Sequence, residues 1–366
     1  MRGHAVRVLI ADDSAFMRKV LSDMFESGRG FEIVGTAFNG EDAVEKVRSL
    51  SPDIVTMDVE MPKMNGLTAL RKIRAEFGPI KPAVLMCSTL TQTGSETALQ
   101  AMKAGAADVI AKEHLGIGEE HAPFRAELLS KVRAIGLQVA RASRPASEVP
   151  AVPRSVSNGT IRTRNIDAVV IGSSTGGPPV LEAIIAGLES APKAPIFVAQ
   201  HMPEIFTKSL ANRLDGVSKA TVKLAEDGEP VKGGTVYIAE GGKHLRVVRS
   251  GSLVRLEVSK KPTEALYKPS VNELFASAAN VYGKATLGVM LTGMGDDGTE
   301  GSGPLKATGA QIVAQSPESC VVYGMPRAVV EAGFADASMS IEEITRLVSS
   351  ASGCFAAPGS GLRRTA

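Results

Sequence analysis

The chain has 366 residues, 44% of them hydrophobic and 22% charged, with a formal net charge of +2. That is chain enough for two domains of roughly 100–200 residues, and it lacks both the basic excess of an obligate nucleic-acid binder and the roughly 20-residue apolar run that spans a bilayer. The opening stretch MRGHAVRVLIADD is interrupted by Asp12 and Asp13 before any cleavage site, and Cys87, Cys320 and Cys354 are odd in number and widely spaced, so the reading is a cytoplasmic protein with buried, reduced thiols.

From Val6 to about Ala140, short apolar runs alternate with amphipathic segments: VRVLIA then AFMRKVLSDMF, FEIVGTA then EDAVEKVRSL, PDIVTMD then GLTALRKIRAEF. AVLMCST then SETALQAMKAG, and ADVIAK then FRAELLSKVRAIGLQVA, complete five strand-then-helix units. Such alternation predicts a doubly wound parallel sheet over residues 1–140, whose functional residues gather at the carboxyl ends of the strands. Residues 141–164, rich in Ser, Pro, Ala and Arg, lose the periodicity and read as a linker. A second α/β sheet is expected over 165–355, with strands IDAVVIG, PIFVAQ, GTVYIA, TLGVMLTG and QIVAQS. An inserted hairpin at HLRVVRSGSLVRLEVS turns on Ser-Gly-Ser, and residues 356–366 read as a flexible tail.

Asp12 and Asp13 end the first strand, Asp58 ends the third, Ser88 ends the fourth and Lys112 ends the fifth, so all five reach one sheet edge. Taken singly, Asp13 and Ser14 could merely cap a helix and Lys112 could be a surface charge. Together they make a crevice in which three carboxylates repel one another unless a hard dication, naturally Mg²⁺, sits among them. A phosphoryl group on Asp58 would use that metal, the Lys112 ammonium and the Ser88 hydroxyl. With the stretches ADDS, TMDVEMPKMNGL, MCSTLT and AK, this half resembles the flavodoxin-like receiver domains of two-component response regulators. The resemblance implies an aspartyl phosphate on Asp58, with Mg²⁺ held by Asp12, Asp13 and Asp58. Two positions depart from it: Glu113 stands where receivers usually have proline, and Val109 where they often have an aromatic switch residue.

In the second half, AVVIGSSTGGPPVLEAI sets Gly172-Ser173-Ser174-Thr175-Gly176 between a strand and a helix. That suits a serine nucleophile on a sharp turn, and equally a loop cradling a phosphate. His201 follows the strand PIFVAQ, and GMGDDG follows TLGVMLT, so a histidine and an acid reach the same edge and favour the nucleophile. A non-catalytic ligand-binding output domain would need neither, and a DNA-binding regulator would need a helix-turn-helix and a basic face that the sequence lacks.

The motifs IGSSTGG, QHMP, LTGMGDDG and SCVVYGMPRAVV, in that order behind the receiver, resemble the chemotaxis protein-glutamate methylesterase family. The resemblance implies the catalytic residues Ser174, His201 and Asp297, an oxyanion hole from the backbone N–H groups of Thr175 and Met294, and no cofactor in the esterase site. It also implies chemoreceptor cytoplasmic domains as substrate, with methanol released from glutamate methyl esters, deamidation of receptor glutamines by the same chemistry, and a chemotaxis histidine kinase as phosphodonor. The unphosphorylated receiver would cover the esterase crevice. A monomer is expected, with no nucleic-acid partner and no membrane insertion. Ser173 stands in a slot commonly held by alanine, Lys268 where relatives often have histidine or arginine, and Asp296 adds a charge that would raise the pKa of His201.

Overall fold

The computed structural model describes residues 5–79, 81–88, 91–112, 122–142, 161 and 165–354. The first unit runs β1 (Val6–Ala11), α1 (Ala15–Glu26), β2 (Phe31–Ala37), α2 (Gly40–Leu50), β3 (Ile54–Asp58), α3 (Gly66–Phe77), β4 (Ala83–Ser88), α4 (Gln92–Lys103), β5 (Asp108–Ala111) and α5 (Ala122–Ala142). Its strands form one parallel sheet in the order β2-β1-β3-β4-β5, the doubly wound arrangement that the alternation predicts. Strands β3 and β4 are buried along their whole length, as parallel strands covered on both faces must be.

Helices α1 to α4 start on Ser14, Asn39, Asn65 and Thr91, whose side chains accept from the N–H groups of Met17, Asp42, Thr68 and Gly94. Each such cap stabilises its helix by about 1 kcal/mol. All four lie just beyond the carboxyl ends of strands, so they fix the loops that frame the crevice. Ser14 therefore does cap a helix, as its type allows, while Asp13 lies in the crevice wall.

The second unit runs β6 (Ala168–Ser173), α6 (Gly177–Ala186), β7 (Ile196–Gln200), α7 (Glu204–Asp215), β8 (Thr221–Leu224), β9 (Thr235–Ile238), β10 (His244–Ser250), β11 (Leu253–Ser259) and α8 (Val271–Val281). It continues through β12 (Thr286–Met290), α9 (Thr299–Ala307), β13 (Gln311–Gln315), α10 (Met325–Glu331), β14 (Ala337–Met339) and α11 (Ile341–Ala351). Seven strands form a second parallel sheet in the order β14-β13-β12-β6-β7-β9-β8, and β10 and β11 make the expected antiparallel hairpin. The chain order places β6 at the sheet centre between β7 and β12, so the residues after these three strands share one edge.

Four elements of the second unit, α7, β8, α9 and β14, fall outside the runs read from the apolar pattern, and two of them have physical reasons to be hidden. Helix α9 carries Gly301, Gly303 and Pro304, which blur its period; it is held instead by the Asn272 side chain, which accepts from the N–H groups of Gly298 and Gly301. Strand β14 is a three-residue edge. Helix α5 reaches Ala142, two residues past the expected boundary at 140. The rest of the expected linker apart from Ile161, the tail at 356–366 and Glu113 lie outside the described residues.

The two units pack together. Helix α4 lies against α6 and α7, and Leu99 and Met102 share a buried cluster with Leu181 and Leu210. The Lys103 ammonium pairs with Glu182 at 3.2 Å, and the Ser95 and Ser209 hydroxyls are 2.7 Å apart.

Candidate active site and receiver pocket

At the carboxyl edge of the first sheet the five expected residues converge. Lys112 Nζ lies 2.7 Å from Asp12 Oδ2 and 2.9 Å from Asp58 Oδ2, and the crevice is lined by Asp13, Asp58, Glu60, Ser88 and Lys112. Carboxylate oxygens of Asp12, Asp13 and Asp58 fall within 4.8 Å of one another. Burial pushes the Asp58 carboxyl above its ordinary value; Lys112 draws it back, while Asp12 and Asp13 push it further up. A set of three hard oxygen donors with one ammonium to offset them fits a small divalent cation such as Mg²⁺. Gly66 makes the pocket possible, because a Cβ there would overlap the carbonyl oxygen of Asp58. Val109 is buried in the core and its carbonyl accepts from Lys131, so no aromatic rotamer is available at this position.

The serine loop leaves β6 through Gly176, whose φ of +77° favours glycine, and enters α6. The turn separates its two serines. Ser173 is fully buried and donates to Gln200 Oε1 at 2.6 Å, whereas Ser174 is partly exposed, its N–H held by the Thr292 carbonyl at 3.0 Å. The Gln200 amide also donates to the carbonyls of Ser174 (2.9 Å) and His201 (3.2 Å), and the His201 N–H donates to Ser173 O, so the ends of β6 and β7 are tied together.

His201 Nε2 lies 2.7 Å from Asp297 Oδ2, while His201 Nδ1 is buried without a partner among the described residues. That pattern assigns the proton to Nε2 and leaves Nδ1 as a free acceptor. The Asp297 carboxylate sits on the amino-terminal end of α8, accepting from the N–H groups of Val271 (2.7 Å) and Asn272 (3.1 Å) and from the Ser270 hydroxyl (2.9 Å). Burial opposes its ionisation, but the His201 hydrogen bond and these backbone donors prevail and hold the carboxyl below its usual range. Asp296 is exposed, so solvent screens its charge. Lys268 is turned to the Thr263 carbonyl at 2.6 Å.

Thr175 follows the serine, and Met294 follows Gly293, where a Cβ would come within 2.9 Å of the Ser174 Cβ; the backbone N–H of neither Thr175 nor Met294 has a partner among the described residues. Their side chains are held by the first unit. Thr175 Oγ1 donates to Asp108 Oδ2 at 2.8 Å, and Asp108 is itself paired with Lys131 at 2.8 Å. The Ser130 hydroxyl donates to the Met294 sulfur at 3.2 Å, and Met294, Val321 and Val322 join the cluster that contains Ile110, Leu128 and Val132.

A response regulator receiver domain model matches residues 8–116, and a CheB methylesterase model matches residues 169–348. A protein-glutamate methylesterase/protein-glutamine glutaminase of Oleidesulfovibrio alaskensis is 45% identical over 94% of this chain and 99% of its own length. The chain belongs to the CheB methylesterase family. Other CheB methylesterases match along the same span, those of Nitratidesulfovibrio vulgaris at 41% and Thermotoga maritima at 43% identity, covering 98% and 95% of those proteins. The matched span takes in both halves of this chain.

Three groups around the site escape the sequence reading. Ser270 is announced by Ser-x-x-Glu ahead of α8, a capping signature, but its hydroxyl also reaches Asp297. Gln200 has no periodicity to mark it. Asp108, in the first unit yet hydrogen-bonded to Thr175, is a contact between residues 67 positions apart that no local pattern predicts. Among the described residues no helix is long and apolar enough to cross a membrane.

Proposed function

We propose that this chain hydrolyses glutamate methyl esters on the cytoplasmic domains of chemoreceptors, under control of phosphorylation at Asp58. The observation that carries the reading is the state of His201: one ring nitrogen bound to a carboxylate that α8 keeps ionised, the other buried and unpaired on the edge shared with Ser174. Ser174 Oγ gives its proton to His201 Nδ1 and bonds to the ester carbon. The resulting oxyanion takes the N–H groups of Thr175 and Met294, and Asp297 stabilises the imidazolium. His201 then returns the proton to the departing methoxide, methanol leaves, and water hydrolyses the acyl-serine by the reverse proton path, freeing the glutamate carboxylate. A glutamine side chain follows the same course with ammonia leaving.

Control follows from the contact between the two units. In the arrangement described, the receiver holds the side chains of both residues assigned to the oxyanion hole. A phosphoryl group on Asp58, supplied by a chemotaxis histidine kinase, would engage Lys112 and Ser88, with Mg²⁺ held by Asp12, Asp13 and Asp58 supplying charge neutralisation. It activates by favouring the separated arrangement over the packed one. We further infer a cytoplasmic monomer with no nucleic-acid partner and no cofactor in the esterase site.

The test is methanol release from a methylated receptor fragment by the full chain, with and without acetyl phosphate. Ser174→Ala should lose roughly three to six orders of magnitude in rate; release at the parental rate would overturn the assignment. Asp58→Asn should keep basal release and lose the stimulation.

A further inference from the structure

The imidazole of His201 is fixed by more than its acid partner. The ring of Tyr267, in the loop between β11 and α8, lies parallel to it, with centroids 4.3 Å apart and planes inclined by only 6°. The phenol oxygen reaches over Gly295, in the same loop as Asp297, where a Cβ would come within 3.1 Å of it. Among the described residues, the carboxylates that act on the pair include Asp297, bonded to the His201 edge, and the exposed Asp296 beside it. Tyr267 is half-buried, and its neighbour Leu266 is 85% exposed, so the tyrosine closes one face of the histidine at the mouth of the crevice.

A histidine can turn about its side-chain bonds and still hold one hydrogen bond. Asp297 fixes the Nε2 edge; the stacked ring fixes the plane, and together they determine where Nδ1 points. The ring also has an electrostatic consequence. His201 is neutral before attack and an imidazolium in the transition state, and the negative face of an aromatic ring attracts a cation more than it does a neutral heterocycle. An interaction stronger in the transition state than in the ground state accelerates the step rather than merely tightening binding.

We propose that Tyr267 is a positioning residue of the hydrolysis, whose stacked ring orients the His201 imidazole and favours its protonated form during the reaction. The inference rests on the assignment of His201 as the general base.

The experiment uses the full chain with acetyl phosphate and compares Tyr267→Leu with Tyr267→Phe. Leucine keeps an apolar cover over the histidine but removes both the π face and the hydroxyl, whereas phenylalanine removes the hydroxyl alone. The expected result for Tyr267→Leu is a fall in kcat of about threefold to thirtyfold with KM little changed, and an acid limb of kcat/KM moved to lower pH by about half a unit or more, because the imidazolium has lost a stabilising partner. Tyr267→Phe should restore both to near the parental values. A second readout, the NMR titration of the His201 ring protons in a Ser174→Ala background, should show the same downward shift with no dependence on turnover. Parental kcat and titration in Tyr267→Leu would overturn the inference, as would a Tyr267→Phe variant as impaired as Tyr267→Leu, which would make the hydroxyl and not the ring responsible. Failure of the underlying assignment looks different, because Ser174→Ala or His201→Ala would then retain activity whatever Tyr267 does.

Discussion

Asp58 and Asp297 occupy equivalent places in the two halves of the molecule, each at the carboxyl edge of a parallel sheet and each nearly inaccessible, at 8% and 5% exposure. Their surroundings drive them in opposite directions. Asp297 is met by three donors from the start of α8 and by His201, and its carboxyl is held below the ordinary range. Asp58 is met by one ammonium and two further carboxylates, and burial pushes its carboxyl up. The same side chain is thus supplied with donors by the protein in one half and left short of them in the other, where a cation and a phosphoryl group are proposed to bind. A buried charge that the fold satisfies serves as a fixed part of a catalytic apparatus; one that it leaves short is a place for a signal to enter.

The largest effect that tests this contrast is on rate. His201→Ala should lower methanol release by about 10⁴-fold, as loss of a triad base does, while acetyl phosphate still labels Asp58 at the parental rate. Asp297→Asn should cost a comparable factor because the neutral amide no longer enforces the Nε2–H tautomer. Next in size is stability, where matched substitutions should act with opposite sign. Asp297→Asn should destabilise the chain by about 2–3 kcal/mol at neutral pH, through loss of charge-assisted hydrogen bonds. Asp58→Asn in the absence of metal should stabilise it by about 1 kcal/mol, because it relieves a like-charge cluster. Chemical denaturation at fixed metal concentration measures both, and two changes of the same sign would break the comparison.

The pH dependence sharpens it further. The depressed carboxyl of Asp297 contributes stability that is present above the unfolded value of about 3.9 and is lost as pH falls through its folded value. The raised carboxyl of Asp58 does the reverse: its stability contribution is full below about 3.9 and is lost as pH rises through its folded value. Both differences from wild type should therefore be greatest near neutrality; that of Asp58→Asn should already be gone once the pH has fallen to about 4, whereas that of Asp297→Asn should shrink only below it. The smallest effect should come from Ser173→Ala, which removes a hydroxyl bonded to Gln200 but leaves the turn and Ser174 in place; release within about threefold of the parent would fit, and a loss like that of Ser174→Ala would reverse the choice between the serines.

Much of this was legible in the sequence because the information is local. Period-two and period-3.6 patterns mark most strands and helices, and residues directly after parallel strands must share an edge, which is why Asp12, Asp58 and Lys112 can be grouped without coordinates. What the pattern could not convey is pairing at a distance. Asn272 holding α9, Ser270 supporting Asp297 and Asp108 bonded to Thr175 are contacts between residues far apart in the chain, made by polar side chains that carry no hydrophobic period. Position alone does not separate Ser173 from Ser174, and the choice rests on the motif match; in the structure Ser173 is buried and Ser174 partly exposed.

The hydrogen bond from Thr175 to Asp108 has a thermodynamic corollary. If, as proposed, this contact must part for a receptor to enter and phosphorylation loosens it, the two events share one free-energy difference. Reciprocity then requires that whatever factor phosphorylation gives to receptor binding, a bound receptor returns to the phosphorylation equilibrium at Asp58. A heavily methylated receptor array would, by occupying the crevice, draw the enzyme toward its phosphorylated form, and the substrate becomes a participant in its own signal.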